Sequence, residues 1–246
     1  MKEVIGKIKE NKEIATETMK MVLEIPDLDI HPGQFVNIAI PEKFLRRPIS
    51  ICDGNKNEIT LIYKIVGKGT EDLSQMEAGV ELNLLTELGN GYDMAASGDK
   101  PLLIGGGAGV PPLYYLAKEL LKEGKTPTVI LGFNFAQEVF LEEEFKALGC
   151  ETIVTTVDGS LGIKGFVTDG ISPEGGYTYY YACGPEPMLK AVYDALDIDG
   201  EMSFETRMGC GYGACMGCSA LTKKGEKRLC KEGPVLKKEE IALWED

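Results

Sequence analysis

The first 97 residues alternate short apolar runs with turn-forming residues. Thr18–Ile25 partly alternates apolar and polar positions, whereas Gln34–Ile40 and Glu58–Val66 are rich in β-branched and aromatic residues. Turn residues such as Pro32 and Gly33 separate these runs. Short runs bounded in this way are typical of β-strands. Their regular recurrence predicts an antiparallel barrel or sandwich over residues 1–97.

The pattern changes after residue 97, where buried-strand runs begin to alternate with apolar residues at helical spacing. The predicted strands are 102–104, 128–131, 152–157 and 178–181, and the predicted helices are 113–121, 140–148 (ending at Gly149) and 188–196. This alternation predicts a doubly wound parallel sheet over residues 98–200. Residues 201–246 form a third, small segment with four cysteines, several glycines and a charged tail.

Composition narrows the class of protein. Of the 246 residues, 43% are hydrophobic, and the net charge of -13 argues against nucleic acid as a partner, because phosphate binding needs a basic face. No apolar stretch approaches the roughly 20 residues of a membrane span, and the charged start of the chain lacks the apolar core of a signal peptide. We therefore expect a cytoplasmic protein. The single histidine, His31, is interpreted as a surface loop residue, which leaves no material for a multi-histidine metal site.

Four cysteines fall within 21 residues, with the spacing Cys210-x4-Cys215-x2-Cys218-x11-Cys230. The first three match the plant-type pattern of [2Fe–2S] proteins, in which the fourth ligand lies further along the chain. Interleaved glycines would let the loop wrap an anionic cluster and point its N–H groups at sulfur. A structural zinc is the alternative, although zinc sites usually take two C-x2-C pairs.

A glycine-rich turn follows the predicted strand 102–104 and precedes a predicted helix. It contains Gly105, Gly106, Gly107, Gly109 and Pro111. Small residues at a helix N-terminus let a pyrophosphate approach exposed N–H groups and the positive end of the helix dipole. The turn therefore predicts a dinucleotide site, and a tight packing turn without a ligand is the alternative.

A second strand-to-helix turn contains Cys183, Gly184 and Pro185. In a doubly wound sheet both turns lie at the carboxyl edge, where ligands bind. Cys183 alone is equally well interpreted as a small buried residue. Residues 132–138, after the next predicted strand, contain no Arg or Lys for a 2′-phosphate, and Glu138 would repel one, so NAD is favoured over NADP.

An arginine motif lies in the first part of the chain. Arg47, Pro48, Ile49 and Ser50 combine a cation and a hydroxyl beside a short apolar strand, which suits the pyrophosphate and the ring of a flavin. Residues 67–70 would add further phosphate donors. On its own the motif is equally typical of a solvated strand edge.

Taken together, these features resemble the ferredoxin-reductase superfamily, in which a flavin-binding β-barrel precedes a nicotinamide-binding α/β domain. Residues 47–50 resemble its R-x-[YF]-[ST] flavin motif, with Ile49 at the position of the usual aromatic. Residues 105–111 resemble its glycine-rich turn, and residues 183–185 resemble its C-G-P turn near the nicotinamide.

A narrower resemblance covers almost the whole chain. Residues 88–92 (Leu-Gly-Asn-Gly-Tyr), 158–162, 165–168, 205–218 and 230–235 resemble the electron-transfer subunits of dihydroorotate dehydrogenase B. The block at 205–218, together with Cys230, is the most specific because it carries all four cysteines in the family's order. This resemblance implies an NAD-linked oxidoreductase subunit with FAD and a [2Fe–2S] cluster, working in pyrimidine biosynthesis.

The resemblance also implies a partner and a distribution of roles. The partner would be an FMN-containing catalytic subunit that oxidises dihydroorotate, in a heterotetramer with two of each chain, and electrons would pass from FMN through the cluster and FAD to NAD+. The residues implied to hold FAD are Arg47, Pro48, Ile49, Ser50, Ile62, Tyr63, Lys64, Gly69 and Thr70, and those implied to hold the cluster are Cys210, Cys215, Cys218 and Cys230. Two alternatives are a flavoprotein subunit of an NAD(P)H-dependent ferredoxin or sulfide reductase complex and a zinc-stabilised binding module without enzymatic activity.

Overall fold

The computed structural model describes residues 1–244, and residues 2–88 form a closed six-stranded barrel. The barrel strands are β1 (Lys2–Ala15), β2 (Thr18–Glu24), β3 (Phe35–Ile38), β4 (Arg47–Gly54), β5 (Glu58–Lys64) and β6 (Glu81–Leu88), and helix α1 (Lys68–Ser74) lies between β5 and β6. All neighbouring strands are antiparallel, in the order β1-β2-β5-β4-β3-β6. The barrel predicted for this part of the chain is confirmed.

A seven-stranded sheet follows the barrel. The remaining elements are β7 (Pro101–Gly106), α2 (Val110–Lys122), β8 (Thr128–Phe133), α3 (Glu142–Ala147), β9 (Glu151–Thr156), β10 (Ile163–Lys164), β11 (Tyr179–Cys183), α4 (Glu186–Ala195), β12 (Gly200–Ser203), β13 (Ser219–Thr222), β14 (Gly225–Arg228) and β15 (Val235–Lys237). The sheet order is β10-β9-β8-β7-β11-β12-β15, and only the edge pair β12–β15 is antiparallel. Strands β13 and β14 form a separate hairpin.

Helices and C-terminal residues cover both faces of this sheet, so the predicted doubly wound architecture is also confirmed. One face packs against α2 and α3 through residues such as Leu116 and Phe145, both fully buried. The other face packs against α4 and the C-terminal segment through residues such as Leu189 and Leu236. The residues after 200 therefore complete the sheet as well as carrying the cysteines.

Helix α2 joins the barrel to the sheet. The Lys118 ammonium lies 2.6 Å from both carboxylate oxygens of Asp53 on β4. The Tyr115 hydroxyl donates a hydrogen bond to the Ile30 carbonyl at 3.2 Å. These contacts fix the distance between the barrel rim and the glycine-rich turn at the start of α2.

One local prediction needs correction. The helix predicted from residue 140 begins at Glu142, because Leu141 adopts a left-handed backbone conformation with φ of 63°. Residues 68–74, which include most of the stretch expected to add phosphate donors, form helix α1. Within residues 1–244 no helix is both long and apolar enough to cross a bilayer.

Candidate cofactor sites

The four clustered cysteines form two close pairs. The Cys215 N–H donates to Cys210 Sγ at 3.4 Å, and the Cys210 N–H points back to Cys215 Sγ at 3.5 Å. The Cys230 N–H donates to Cys218 Sγ at 3.5 Å. Across residues 1–244, no three His, Cys, Asp or Glu side chains are arranged to hold a single metal ion. Two pairs of thiols suit a centre with two irons, each of which takes two thiolates.

Backbone N–H groups in the first cysteine pair stabilise negative charge on the sulfur of Cys210. Burial alone would raise the pKa of the Cys210 thiol, but N–H groups of Tyr212, Cys215 and Ala214 lower that pKa to about 6. The Ala214 N–H lies 3.2 Å from the sulfur. For the second pair, burial and the neighbouring Cys218 raise the pKa of Cys230 to about 12. Thiolates crowded in this way are stabilised when a cationic centre replaces their protons, so the donor set fits an iron–sulfur cluster.

The barrel supports the cysteine segment directly. Buried Phe35 on β3 and Leu88 on β6 pack with Cys218 and Cys230 in one apolar cluster. The Asn37 side-chain amide, also on β3, donates to the Cys210 carbonyl at 3.5 Å. Each cysteine pair therefore contacts strand β3 of the barrel.

Asn90, which belongs to the sequence block 88–92, hydrogen-bonds to the chain that follows Cys230. Its side-chain amide donates to the Val235 carbonyl at 2.8 Å, and its side-chain oxygen accepts from the Val235 N–H at 3.2 Å. The Asn90 N–H also donates to the Gly233 carbonyl at 2.7 Å. The loop after β6 thus holds the chain that returns from Cys230 to the sheet.

The arginine motif and residues 67–70 meet in the structure. The Arg47 guanidinium lies directly over Gly69 in helix α1, where any side chain on Gly69 would overlap it. The Thr70 hydroxyl serves as a local cap: it donates to the Gly67 carbonyl at 3.0 Å and accepts from the Val66 N–H at 3.0 Å. The cation and the start of α1 therefore form one surface, as a flavin pyrophosphate site requires.

The other residues implied to hold FAD divide between two sides of the barrel wall. Ile49 is only 7% exposed and packs in the barrel core, so its side chain is a core group and not a surface for ring stacking. Tyr63 also points into the barrel and donates to Asn11 Oδ1 at 3.1 Å, and burial raises the pKa of its hydroxyl to about 12. Ile62 and Lys64 line a narrow cavity that also touches the glycine-rich turn.

The two strand-to-helix turns interlock at the carboxyl edge of the sheet. Gly109 lies against the Cys183 carbonyl and the Gly184 N–H, where a side chain would overlap the backbone. Gly106 lies under the sulfur of Met188 in α4. Pro111 occupies the second position of α2, where its missing N–H costs no hydrogen bond. Cys183 is 2% exposed, and burial raises the pKa of its thiol to about 12, so it packs as a small buried residue.

A cleft of about 670 Å³ opens beside these turns. Its wall includes an ion pair between Lys64 of the barrel and Glu138 of the sheet domain. Burial would raise the pKa of Glu138, but hydrogen bonds from Lys64 and from Asn134 (2.8 Å to Nδ2) hold that pKa below its ordinary value. Glu138 is therefore neutralised by a lysine, a partner that the sequence did not indicate.

Three further residues of the cleft were missed by sequence reasoning. Phe166 stands at its rim with 65% of its surface exposed, and its N–H donates to Asp169 Oδ2 at 2.7 Å. Met188 and Glu205 line the wall. Glu205 is exposed to the cleft, yet partial desolvation by the surrounding protein raises the pKa of its carboxyl. The sequence blocks 165–168 and 205–218 contain Phe166 and Glu205, but the sequence did not indicate what either residue does.

Comparisons with known proteins agree with this geometry. Residues 205–242 match the iron-sulfur cluster binding domain of dihydroorotate dehydrogenase B, and residues 103–194 match the oxidoreductase NAD-binding domain. The chain is 47% identical over 245 residues to the electron transfer subunit of dihydroorotate dehydrogenase B (NAD(+)) of Fusobacterium nucleatum, covering 93% of this chain and 94% of that one. It is 44% identical to the corresponding subunit of Bacillus pumilus, covering 99% of both. A solved NADH-dependent reduced ferredoxin-NADP oxidoreductase, studied for flavin-based electron bifurcation, superimposes with a TM-score of 0.88 at 29% identity, over 96% of this chain and 88% of that one.

Proposed function

The chain belongs to the family of electron-transfer subunits of dihydroorotate dehydrogenase B, and we propose that its three parts form one electron path between a partner subunit and NAD+. In this proposal residues 1–97 hold FAD, residues 98–200 hold NAD, and residues 201–246 hold the [2Fe–2S] cluster. When bound, FAD exchanges a hydride with nicotinamide and single electrons with the cluster, which exchanges electrons with the partner's FMN. The chain's own residues hold these groups in order and shield them.

One relationship carries the proposal: the flavin motif and the cysteine segment lie on neighbouring strands. Ser50 of the motif is the register partner of Phe35 on β3, and Phe35 packs with Cys218 and Cys230. Pro48 is likewise opposite Asn37, which holds the Cys210 carbonyl. Register partners in an antiparallel pair lie only about 5 Å apart at Cα. The residues that would hold the flavin and those that would hold the cluster therefore contact the same strand, β3, which favours electron transfer between the two groups.

The outer side of the cysteine segment is the side we assign to the partner. Cys215 is exposed, and it is surrounded in sequence by exposed Tyr212 (46%) and Met216 (51%). Met216 adopts a left-handed conformation with φ of 61°, which is costly for a methionine and is typical of functional segments. An FMN-containing subunit that covers these side chains would bury apolar surface and bring its flavin towards the cluster.

In the cleft beside the two turns, we infer that the pyrophosphate of NAD lies over Gly107 and Ala108, in the turn just before α2. The adenine would then lie on the exposed face of Phe166. Glu205 stands beside the expected nicotinamide, where its carboxylate can accept a hydrogen bond from the ring's carboxamide. No protein base is required, because the hydride passes between the two cofactors.

We further propose a cytoplasmic location and a heterotetramer with two copies of each chain. None of the seven cysteines is in a disulfide, which suits a reducing compartment. The heterotetramer follows the family resemblance. The alternative function is a subunit of a ferredoxin or sulfide reductase complex, and the one observation for it is the 29% identity to a ferredoxin-NADP oxidoreductase. The two functions differ in the partner and not in the cofactors of this chain.

A cysteine substitution tests the order of the path. The Cys215→Ala variant lacks one proposed cluster ligand. The control is Cys150→Ala, which removes a buried thiol (7% exposed) from the turn between α3 and β9, outside the proposed cofactor sites. In anaerobic stopped-flow experiments, both variants should reduce FAD with NADH at the wild-type rate. Only Cys215→Ala should lose electron exchange with the FMN subunit. Normal exchange in a Cys215→Ala protein without cluster absorbance would disprove the proposed order.

A further inference from the structure

The fourth cysteine and the loop that carries the first two are tied together by one arginine. Arg228 Nη1 donates to the Gly213 carbonyl at 2.8 Å. Gly213 lies between Cys210 and Cys215, whereas Arg228 lies two residues before Cys230. This bond therefore spans the two cysteine pairs, which otherwise come from different parts of the segment.

Glu232 fixes the direction of this guanidinium. Arg228 Nε donates to Glu232 Oε2 at 3.0 Å, and Arg228 Nη2 donates to Glu232 Oε1 at 3.0 Å. The Arg228 N–H also donates to Glu232 Oε2 at 2.9 Å, and the Glu232 N–H donates back to the Arg228 carbonyl at 2.7 Å. Residues 228 and 232 thus close a turn around Cys230, and the fork geometry leaves the third nitrogen aimed at Gly213.

The accepting carbonyl is also held in place. Gly213 has a φ of 91°, and the side chain of Lys231 lies over it, so that a Cβ at Gly213 would approach Lys231 Cδ to 2.8 Å. Lys231 directly follows Cys230. Gly213 is therefore held between Arg228, where the turn begins, and Lys231, which lies within the turn.

We infer that Arg228 is a positioning residue for the cluster: it sets the separation between the Cys210–Cys215 pair and Cys230 so that both irons meet their thiolates. This inference rests on the proposed [2Fe–2S] site. An exposed ion pair normally adds little to stability. Here a single guanidinium holds both a carboxylate and a backbone carbonyl, so its effect falls on the geometry of the cysteine segment. Lysine cannot replace it, because one ammonium cannot form the fork and reach Gly213 at the same time.

The test compares Arg228→Gln, Arg228→Lys and Glu232→Gln in the full chain, purified anaerobically with its partner subunit. Lys190→Gln is the matched control, since Lys190 forms an ordinary exposed pair with Asp194 at 2.8 Å on α4. The readouts are iron and sulfide content, the EPR spectrum of the reduced protein, and the rate at which cluster absorbance is lost in the presence of a chelator. NADH-driven reduction of FAD reports whether each variant is folded.

We expect the control to match the wild type in all readouts. Both Arg228 variants should show a changed EPR spectrum and lose the cluster roughly fivefold faster or more, a factor that corresponds to about 1 kcal/mol. Glu232→Gln should show a smaller change in the same direction, because Arg228 can still reach Gly213. Wild-type spectra and loss rates in the folded Arg228 and Glu232 variants would overturn the inference. A wild-type protein with no [2Fe–2S] signal would instead overturn the proposed function.

Discussion

Gly109 packs face to face with the backbone of Cys183, and no side chain fits between them. The two residues belong to the two turns at the carboxyl edge of the sheet, and their strands β7 and β11 are direct neighbours in register. The contact fixes the position of one turn relative to the other. The cleft beside the two turns therefore keeps its form only if residue 109 has no side chain.

A Gly109→Ala substitution should push these turns apart. Because the overlap involves backbone and not a flexible side chain, we expect a loss of about 1–3 kcal/mol in the free energy of unfolding and a KM for NADH raised by roughly tenfold or more. The control is Gly176→Ala, where nothing lies within 4 Å of an added Cβ and only the positive φ of 63° carries a cost, about 1 kcal/mol. Equal KM values in the two variants would refute this account of the turns.

Because Arg47 contacts Gly69, a side chain added at Gly69 should weaken FAD binding without unfolding the protein. In Gly69→Ala the methyl group meets the end of a flexible arginine, so the fold should be retained while the guanidinium is displaced from the start of α1. FAD affinity, measured by flavin fluorescence titration, should fall roughly tenfold, the effect of losing about 1.4 kcal/mol. Gly67→Ala, two residues away in open space with an extended φ of 175°, should bind FAD normally. FAD binding unchanged in Gly69→Ala would remove Arg47 from the flavin site.

Phe166 is expected to carry part of the affinity for NAD. Stacking of a base on an aromatic ring contributes about 1–3 kcal/mol, so Phe166→Ala should raise the Kd for NAD+ by roughly tenfold with no change in FAD content. Phe44→Ala is the control, because Phe44 is fully exposed in the β3–β4 loop and does not line the cleft. Isothermal titration of both variants measures the difference. The prediction fails if the two substitutions change Kd equally.

Glu201 should make the stability of the protein depend on pH. Its side chain on β12 is 3% exposed and accepts from the Asp93 N–H at 2.9 Å. Burial raises the pKa of its carboxyl from 4.5 to about 7; the hydrogen bond from the Asp93 N–H and the charge of Lys237 oppose the rise, whereas the charges of Asp93 and Glu240 add to it. The folded state therefore binds a proton more tightly than the unfolded state does. Compared with a protein that has a permanently neutral group at this position, the wild type loses no free energy of unfolding below about pH 4.5. It loses progressively more as the pH rises to about 7.

The Glu201→Gln variant tests this sign. Above pH 7 it should exceed the wild type in free energy of unfolding by an amount on the order of 3 kcal/mol, and the difference should shrink towards pH 4.5. Urea unfolding at a series of pH values measures the difference between the two proteins. Glu174→Gln, an exposed carboxylate, should show no such trend. A constant difference between wild type and Glu201→Gln across this range would contradict the burial argument.

Features that depend on local chemistry were the ones predictable from the sequence. The spacing of Cys210, Cys215 and Cys218 and the glycines of the two turns follow from what a cluster and a pyrophosphate need within a few residues. The α/β alternation was equally visible, because buried parallel strands give continuous apolar runs. Strand β1 was not singled out, since many of its residues are charged and exposed and its pairing with both β2 and β6 is a property of the closed barrel.

Relationships between distant residues had no local signal. Asn90 and Val235 lie 145 positions apart, yet their two hydrogen bonds place the segment after Cys230. The pairing of Lys64 with Glu138 spans two domains, so the sequence showed only an acidic residue that would repel phosphate. Ile49 marked a departure from the aromatic of the ferredoxin-reductase superfamily, and only the barrel core shows why an aliphatic side chain fits there. The residues predicted to hold FAD and NAD remain predictions that the substitutions above test.

The measurement that tests the central claim most directly is an anaerobic assay of dihydroorotate-dependent NAD+ reduction. The wild-type chain is purified together with its FMN subunit, and FAD and cluster spectra are recorded before the assay. The account predicts that NADH forms only when both subunits are present. In the complex, dihydroorotate added without NAD+ should reduce the cluster and the FAD of this chain. A complex with intact FAD and cluster spectra that forms no NADH from dihydroorotate would contradict the claim and favour a ferredoxin or sulfide reductase partner.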